Sequence, residues 1–166
     1  EIQFPSDNDV YFGETVLEWF TKGGFDRLIV IDGVVSSDLG IKEDSDLWGV
    51  SSTKMSRKQL DNAGIQKIQH GIVAGISGYL IAEGERRGLD VTALLAECNP
   101  MYPDARAALI AIEGLSELID REIPVQGLLD DARNIEARVR EAFERAQSMA
   151  LPPPDTDDDD DVPMVF

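Results

Sequence analysis

The sequence predicts a layered α/β domain, and three observations carry the prediction. Residues 28–31 (LIVI) and 91–96 (VTALLA) are short, evenly apolar runs, the pattern of strands buried on both faces. Elsewhere apolar residues recur at steps of three and four, as on one face of a helix. A stretch over residues 70–99 joins a glycine-rich turn, a helix and a buried strand, which is one unit of a layered α/β architecture.

Taken in order, Glu1 to Phe4 reads as the remnant of a strand and Pro5-Ser6-Asp7-Asn8 as a turn. Asp9 is the expected N-cap of a helix carrying Phe12, Val16, Leu17 and Phe20, ended by Gly23-Gly24. The strand at 28–31 is expected to stop at Asp32-Gly33. A polar loop follows through Ser36, Ser37, Asp38, Glu43 and Asp46, then a second strand over 47–52. A short helix over 56–63 closes at Gly64, and 65–68 is a short strand leading to the glycine turn. In that turn Gly71, Gly75 and Gly78 precede a helix with Ile72, Ile76 and Leu80 four apart. Arg86 and Arg87 sit where a helix C-terminus favours cations, and Gly88 suits the left-handed residue beyond it. The buried strand runs to Glu97, and the chain turns at Pro100 and Pro103. From Asp104, Ala108, Ile112, Leu115 and Ile119 mark one helix, broken at Ile123-Pro124. Leu128, Ala132, Ile135, Val139, Ala142 and Ala146 mark a second, and the two form a hairpin packed on the sheet or on a neighbouring subunit.

These elements place one domain over residues 1–149. Residues 150–166 are a tail whose prolines and aspartate run cannot bury enough apolar surface to fold. The tail ends on an apolar tip, Met164, Val165 and Phe166, which suits a partner's pocket at the end of a charged tether.

A formal net charge of −17 argues against nucleic acid and anionic membrane as partners, since both repel it. No run is long and apolar enough for a membrane span, and the single cysteine, Cys98, fits a reducing cytoplasm. Asp exceeds Glu and Arg exceeds Lys, a balance that with the acidity points to a high-salt cytoplasm. His70, the only histidine, has no companion at ligand spacing, so neither a metal nor a cofactor is expected.

Two groups of residues carry candidate chemistry. The turn with Gly71, Gly75, Ser77 and Gly78 could present backbone N–H groups to an anion, although it lacks the P-loop ending and serves close packing equally well. Asp32 and Glu97 end central strands, where open α/β sheets place ligands, and two carboxylates in one crevice suit acid–base work. Acidic residues at strand ends are also what so acidic a chain supplies without any catalytic purpose. On this reading the crevice leaves a phosphorylase- or hydrolase-like enzyme open.

The run Gly75-Ile76-Ser77-Gly78-Tyr79-Leu80, the strand ending in Glu97 and the helix start Tyr102-Pro103-Asp104 together resemble the proteasome assembly chaperone family. The upstream segments GGFDRLIVIDGV and LWGVSST resemble that family's middle strands, and the likeness covers most of residues 10–148. The resemblance implies a three-layer α/β/α fold with a nucleoside-phosphorylase-like sheet, in a cytoplasmic homo-oligomer that is not an enzyme. It further implies proteasome α subunits as partners, or another protein partner for an orphan member. Some members carry a hydrophobic–tyrosine–any-residue tail that docks between α-ring subunits. This chain departs from that tail by placing Val165 where the aromatic belongs and Phe166 one residue later. The family's N-terminal strand and Gly-x-Gly turn have no counterpart, so Glu1 is expected to fall inside the family's domain.

Overall fold

The structure, a computed structural model, describes residues 8–35, 46–68, 70–99 and 104–149. Five helices and four strands alternate among them: α1 (Asp9–Gly23), β1 (Leu28–Val35), β2 (Leu47–Ser51), α2 (Lys54–Asn62), β3 (Gln66–Lys67), α3 (Gly75–Arg87), β4 (Val91–Cys98), α4 (Ala105–Ile119) and α5 (Gln126–Met149). The expectations for Glu1–Phe4, for the loop after Val35, for Pro100, Tyr102 and Pro103 and for the tail lie outside the described residues.

The sheet has the order β1-β4-β2-β3. β4 lies parallel to β1 and antiparallel to β2, and β2 is parallel to β3. β4 is therefore central, and every residue from Val91 to Glu97 is buried, as its unbroken apolar run requires. Side chains alternate along it. Val91 meets Leu17 of α1 and Leu80 of α3 on one face. Leu94 meets Leu60 of α2 and Leu118 of α4 on the other, where Ala96 packs against Ala107 and Ala111. The result is three layers, with α1 and α3 on one side, α2 and α4 on the other, and α5 packed along α4. Each fully buried leucine contributes about 1.5–3 kcal/mol of transfer free energy.

Several boundaries differ from the sequence expectation. β1 does not stop at Asp32-Gly33 but continues to Val35, pairing residue for residue with β4. Gly33 is accommodated because the Cys98 Sγ sits 2.7 Å from where its Cβ would be. β1 is moreover an edge strand among the described residues, not a central one. Asn8 rather than Asp9 occupies the N-cap position of α1, and Asp9 is its first helical residue. α2 begins two residues early because Thr53 Oγ1 accepts the Ser56 N–H at 3.1 Å. Ile72 lies outside α3 and is 96% exposed, so it does not belong to the apolar stripe. The left-handed Gly88 ends α3 as its sequence position suggests, with Arg86 and Arg87 in the last turn.

The amino end of β4 is fastened by polar groups. Ser52 Oγ donates to the Leu89 carbonyl at 2.7 Å and accepts the Val91 N–H at 2.9 Å. Arg27 donates to Gln59 at 2.6 Å, and Asp90 accepts from Ser56 Oγ.

Candidate functional site

The crevice residues lie at the carboxyl end of β1 and β4. Asp32 pairs with Leu95 and Val34 with Glu97, so Glu97 stands two positions beyond Asp32 on the neighbouring strand. Alternation puts both on the face covered by α1 and α3. Asp32 is exposed, while Glu97 is 8% exposed and its N–H donates to the Asp46 carbonyl at 2.8 Å.

Both carboxylate oxygens of Asp32 are engaged. Oδ2 accepts from Ser77 Oγ at 2.5 Å, and Oδ1 accepts the Gly33 N–H at 2.8 Å. Ser77 is buried in the first turn of α3, so this bond ties the helix start to the sheet. It also places a carboxylate where the partial positive charge of a helix N-terminus favours an anion. A second carboxylate is close, since Asp9 Oδ2 lies 3.8 Å from where a Gly75 Cβ would be. The chain's own acids thus furnish this helix terminus, which disfavours an external phosphate.

The glycines have local reasons. Gly75 has a φ of +68°, the left-handed region that glycine occupies without steric cost. A Cβ on Gly78 would lie 2.0 Å from the Val73 carbonyl oxygen, so only glycine permits that backbone approach. At Gly71 the nearest contact for a Cβ is the Ile68 methyl at 3.3 Å, tight but not prohibitive. Beside the turn is a cleft of about 530 Å³ lined by Val34, Trp48, Lys67 and the exposed His70 and Ile72.

Cys98 is a poor nucleophile here. Burial pushes its thiol upward first, and Asp104, Asp32 and Glu97 push it further the same way. Among the described residues no three His, Cys, Asp or Glu side chains are grouped to hold a metal ion. Also among them, no helix is long and apolar enough to cross a membrane.

The structure thus brings Asp32 and Ser77 into contact and sets Glu97 nearby. Met164, Val165 and Phe166 lie outside the described residues. One polar assembly escaped the sequence reading. Tyr79 Oη donates to Glu14 Oε1 at 2.6 Å, and Arg87 bonds both Glu14 and Glu83. The only local signal for it was the four-residue spacing of Glu83 and Arg87. Its Glu14 half lies more than sixty positions upstream, on α1.

An α/β/α scaffold whose strand-end carboxylate is spent on positioning a helix is a scaffold of the proteasome-assembly-chaperone type. The chain belongs to the PAC2 family, which matches it over residues 4–142. It is similar to the crystal structure of Pyrococcus furiosus PbaA, an archaeal homologue of proteasome-assembly chaperone. That likeness has a TM-score of 0.77 at 26% identity, covering 89% of this chain and 61% of PbaA. Pyrococcus furiosus PbaB, described as an archaeal proteasome activator, shares the fold with a TM-score of 0.73 at 19% identity, over 86% of this chain and 62% of PbaB. MJ0106 of Methanocaldococcus jannaschii is 25% identical over 103 residues, 62% of this chain and 43% of that protein. The chain therefore spans less than two thirds of the length of each of these relatives.

Proposed function

We propose that this chain is a cytoplasmic, non-enzymatic proteasome-assembly chaperone-like protein that binds core-particle α subunits as a homo-oligomer. The observation that carries this reading is the likeness to PbaA at 26% identity over 89% of the chain, within a family match from residue 4 to 142. The site supports it chemically. With Ser77 and the Gly33 N–H on its two oxygens, Asp32 is a positioning carboxylate and not a poised base. Apolar surface along β1 supports association. Ile31 is 46% and Val35 61% exposed on a strand that has no outer neighbour among the described residues.

The docking element in this proposal is the tip Met164, Val165 and Phe166, carried on its aspartate tether. The test is a pull-down against proteasome α subunits, comparing the intact chain with one ending at Pro163. Capture by the intact chain alone is the expected result. Equal capture by both removes the tip from the mechanism, and capture by neither removes the chaperone reading. Turnover lost in Glu97→Gln would move the chain to the enzymes.

A further inference from the structure

A groove of about 650 Å³ lies on the α4 side of the sheet, between α4 and the segment that leads through Ile65 into β3. Its floor is apolar, formed by Leu47, Ile65 and Ile110. Its rim carries four carboxylates, from Asp46, Glu113, Glu117 and Glu122, and no lysine or arginine lines it. The walls are preformed. α4 sits so close to β2 that a Cβ on Gly114 would lie 2.3 Å from the Leu47 side chain. At one end Ser116 Oγ accepts the Ile123 N–H at 3.3 Å and fixes the connection to α5.

Excess acid alone does not account for this rim. The ion pairs among the described residues neutralise Glu14, Glu18, Asp61, Glu83, Glu85, Asp90 and Glu141, and none engages the four rim groups. The other two grooves carry cations, Lys67 with His70 in one and Arg57 with Lys67 in the other. Uncompensated charge is thus concentrated over an apolar floor, where low-dielectric walls focus the field.

We propose that this groove docks a basic, amphipathic segment of a partner protein. Lysine or arginine stems lie along apolar surface while their charged ends reach outward, which matches a greasy floor beneath an anionic rim. The floor supplies affinity through buried area, and the rim supplies orientation and encounter rate. The volume falls within the range of small binding clefts and accommodates a few side chains, so the recognised element is a segment and not a whole surface. The inference stands apart from the tail reading, and a failure of residues 164–166 to bind leaves it intact.

The experiment measures fluorescence anisotropy of a labelled leucine/lysine amphipathic peptide on the full chain. The double variant Glu113→Lys/Glu117→Lys is expected to weaken binding at least about tenfold. A control, Glu18→Lys/Asp26→Lys, makes the same charge change on exposed residues across the sheet and is expected to weaken it by less than about twofold. Circular dichroism of both variants confirms folding, and Glu113→Gln/Glu117→Gln replaces the reversal if it unfolds. A peptide with serine in place of leucine is expected to lose binding. Equal losses in the two double variants, or equal binding of the serine peptide, would reduce the effect to bulk acidity and overturn the proposal. Self-association that only the groove variant abolishes would assign the groove to a second copy, and spermine binding with the same dependence to a small polycation. Either result overturns the partner-segment assignment.

Discussion

On the α1–α3 face Glu14 accepts from Tyr79 and Arg87, and Glu83 is held by Arg86 at 2.6 Å and by Arg87 at 2.8 Å. On the α4 face Glu113 and Glu117 stand one helical turn apart at a groove lined by no cation. The first arrangement consumes its charges in fastening two helices to each other. The second leaves them available, at no evident benefit to the fold. Where acids are paired internally the residues serve architecture, and where they rim an apolar hollow unpaired they serve recognition. The same contrast holds for glycine. Gly78 is pressed on the Val73 backbone, whereas an added Cβ on Gly127, in the first turn of α5, would meet nothing within 4 Å.

The largest effect is expected from breaking the tighter of these two glycine sites. Gly78→Ala drives a methyl into a backbone carbonyl and is expected to destabilise by about 1–3 kcal/mol in urea unfolding. Gly127→Ala adds a methyl in open space within a helix and is expected to stabilise by up to about 1 kcal/mol. Opposite signs sharpen the contrast between the faces. A neutral Gly78→Ala would mean that the α3 start is loosely held, and the packing account of the glycine turn would be lost.

The paired acids give a smaller effect with a defined pH window. The hydrogen bond from Arg86, with further help from Arg87, holds Glu83 down from 4.5 to about 2. Glu14 is lowered too, mainly by its bond from Tyr79 and then by that from Arg87. A carboxylate whose folded pKa is depressed contributes stability that is fully present above the unfolded value. That stability is lost as pH falls through the folded value. Between pH 4.5 and about 2 the chain is therefore expected to lose part of its stability through Glu83. In Glu83→Gln the same titration, followed by urea midpoint, is expected to be shallower across that window. Parallel curves would show that this clamp contributes nothing, as exposed pairs often do.

The legible part of the fold was the part governed by local chemistry. Leu17 and Phe20 declared α1 by spacing, Gly88 after two arginines declared the end of α3, and Val91 to Ala96 declared a buried strand. Periodicity carries no strand direction, so the mixed sheet, with β2 antiparallel to β4, was not readable. Nor was the passage of β1 through Asp32-Gly33, because what admits Gly33 there is Cys98, sixty-five positions away on the adjacent strand. Asp32, Ser77 and Glu97 were all named as crevice candidates. The Ser77–Asp32 bond spans 45 positions, so the sequence could not say that it ties down a helix. The α4 groove was invisible for a related reason: its floor comes from β2, β3 and α4, and only the fold assembles them.

The smallest effect on stability is expected at that groove, and it discriminates most finely. Glu117→Lys places a lysine four residues after Glu113 on α4, an orientation that stabilises a helix by about 0.2–0.5 kcal/mol. Both positions are exposed, so urea unfolding is expected to show that slight gain and nothing larger. The same substitution supplies an internal cation to a rim that had none, and so competes with any incoming basic segment. A variant that is marginally more stable yet binds the leucine/lysine peptide more weakly would separate recognition from architecture within one side chain. A variant that loses stability instead would show that Glu117 makes a contact the fold depends on, and the two faces would then not differ in the way their ion pairs suggest.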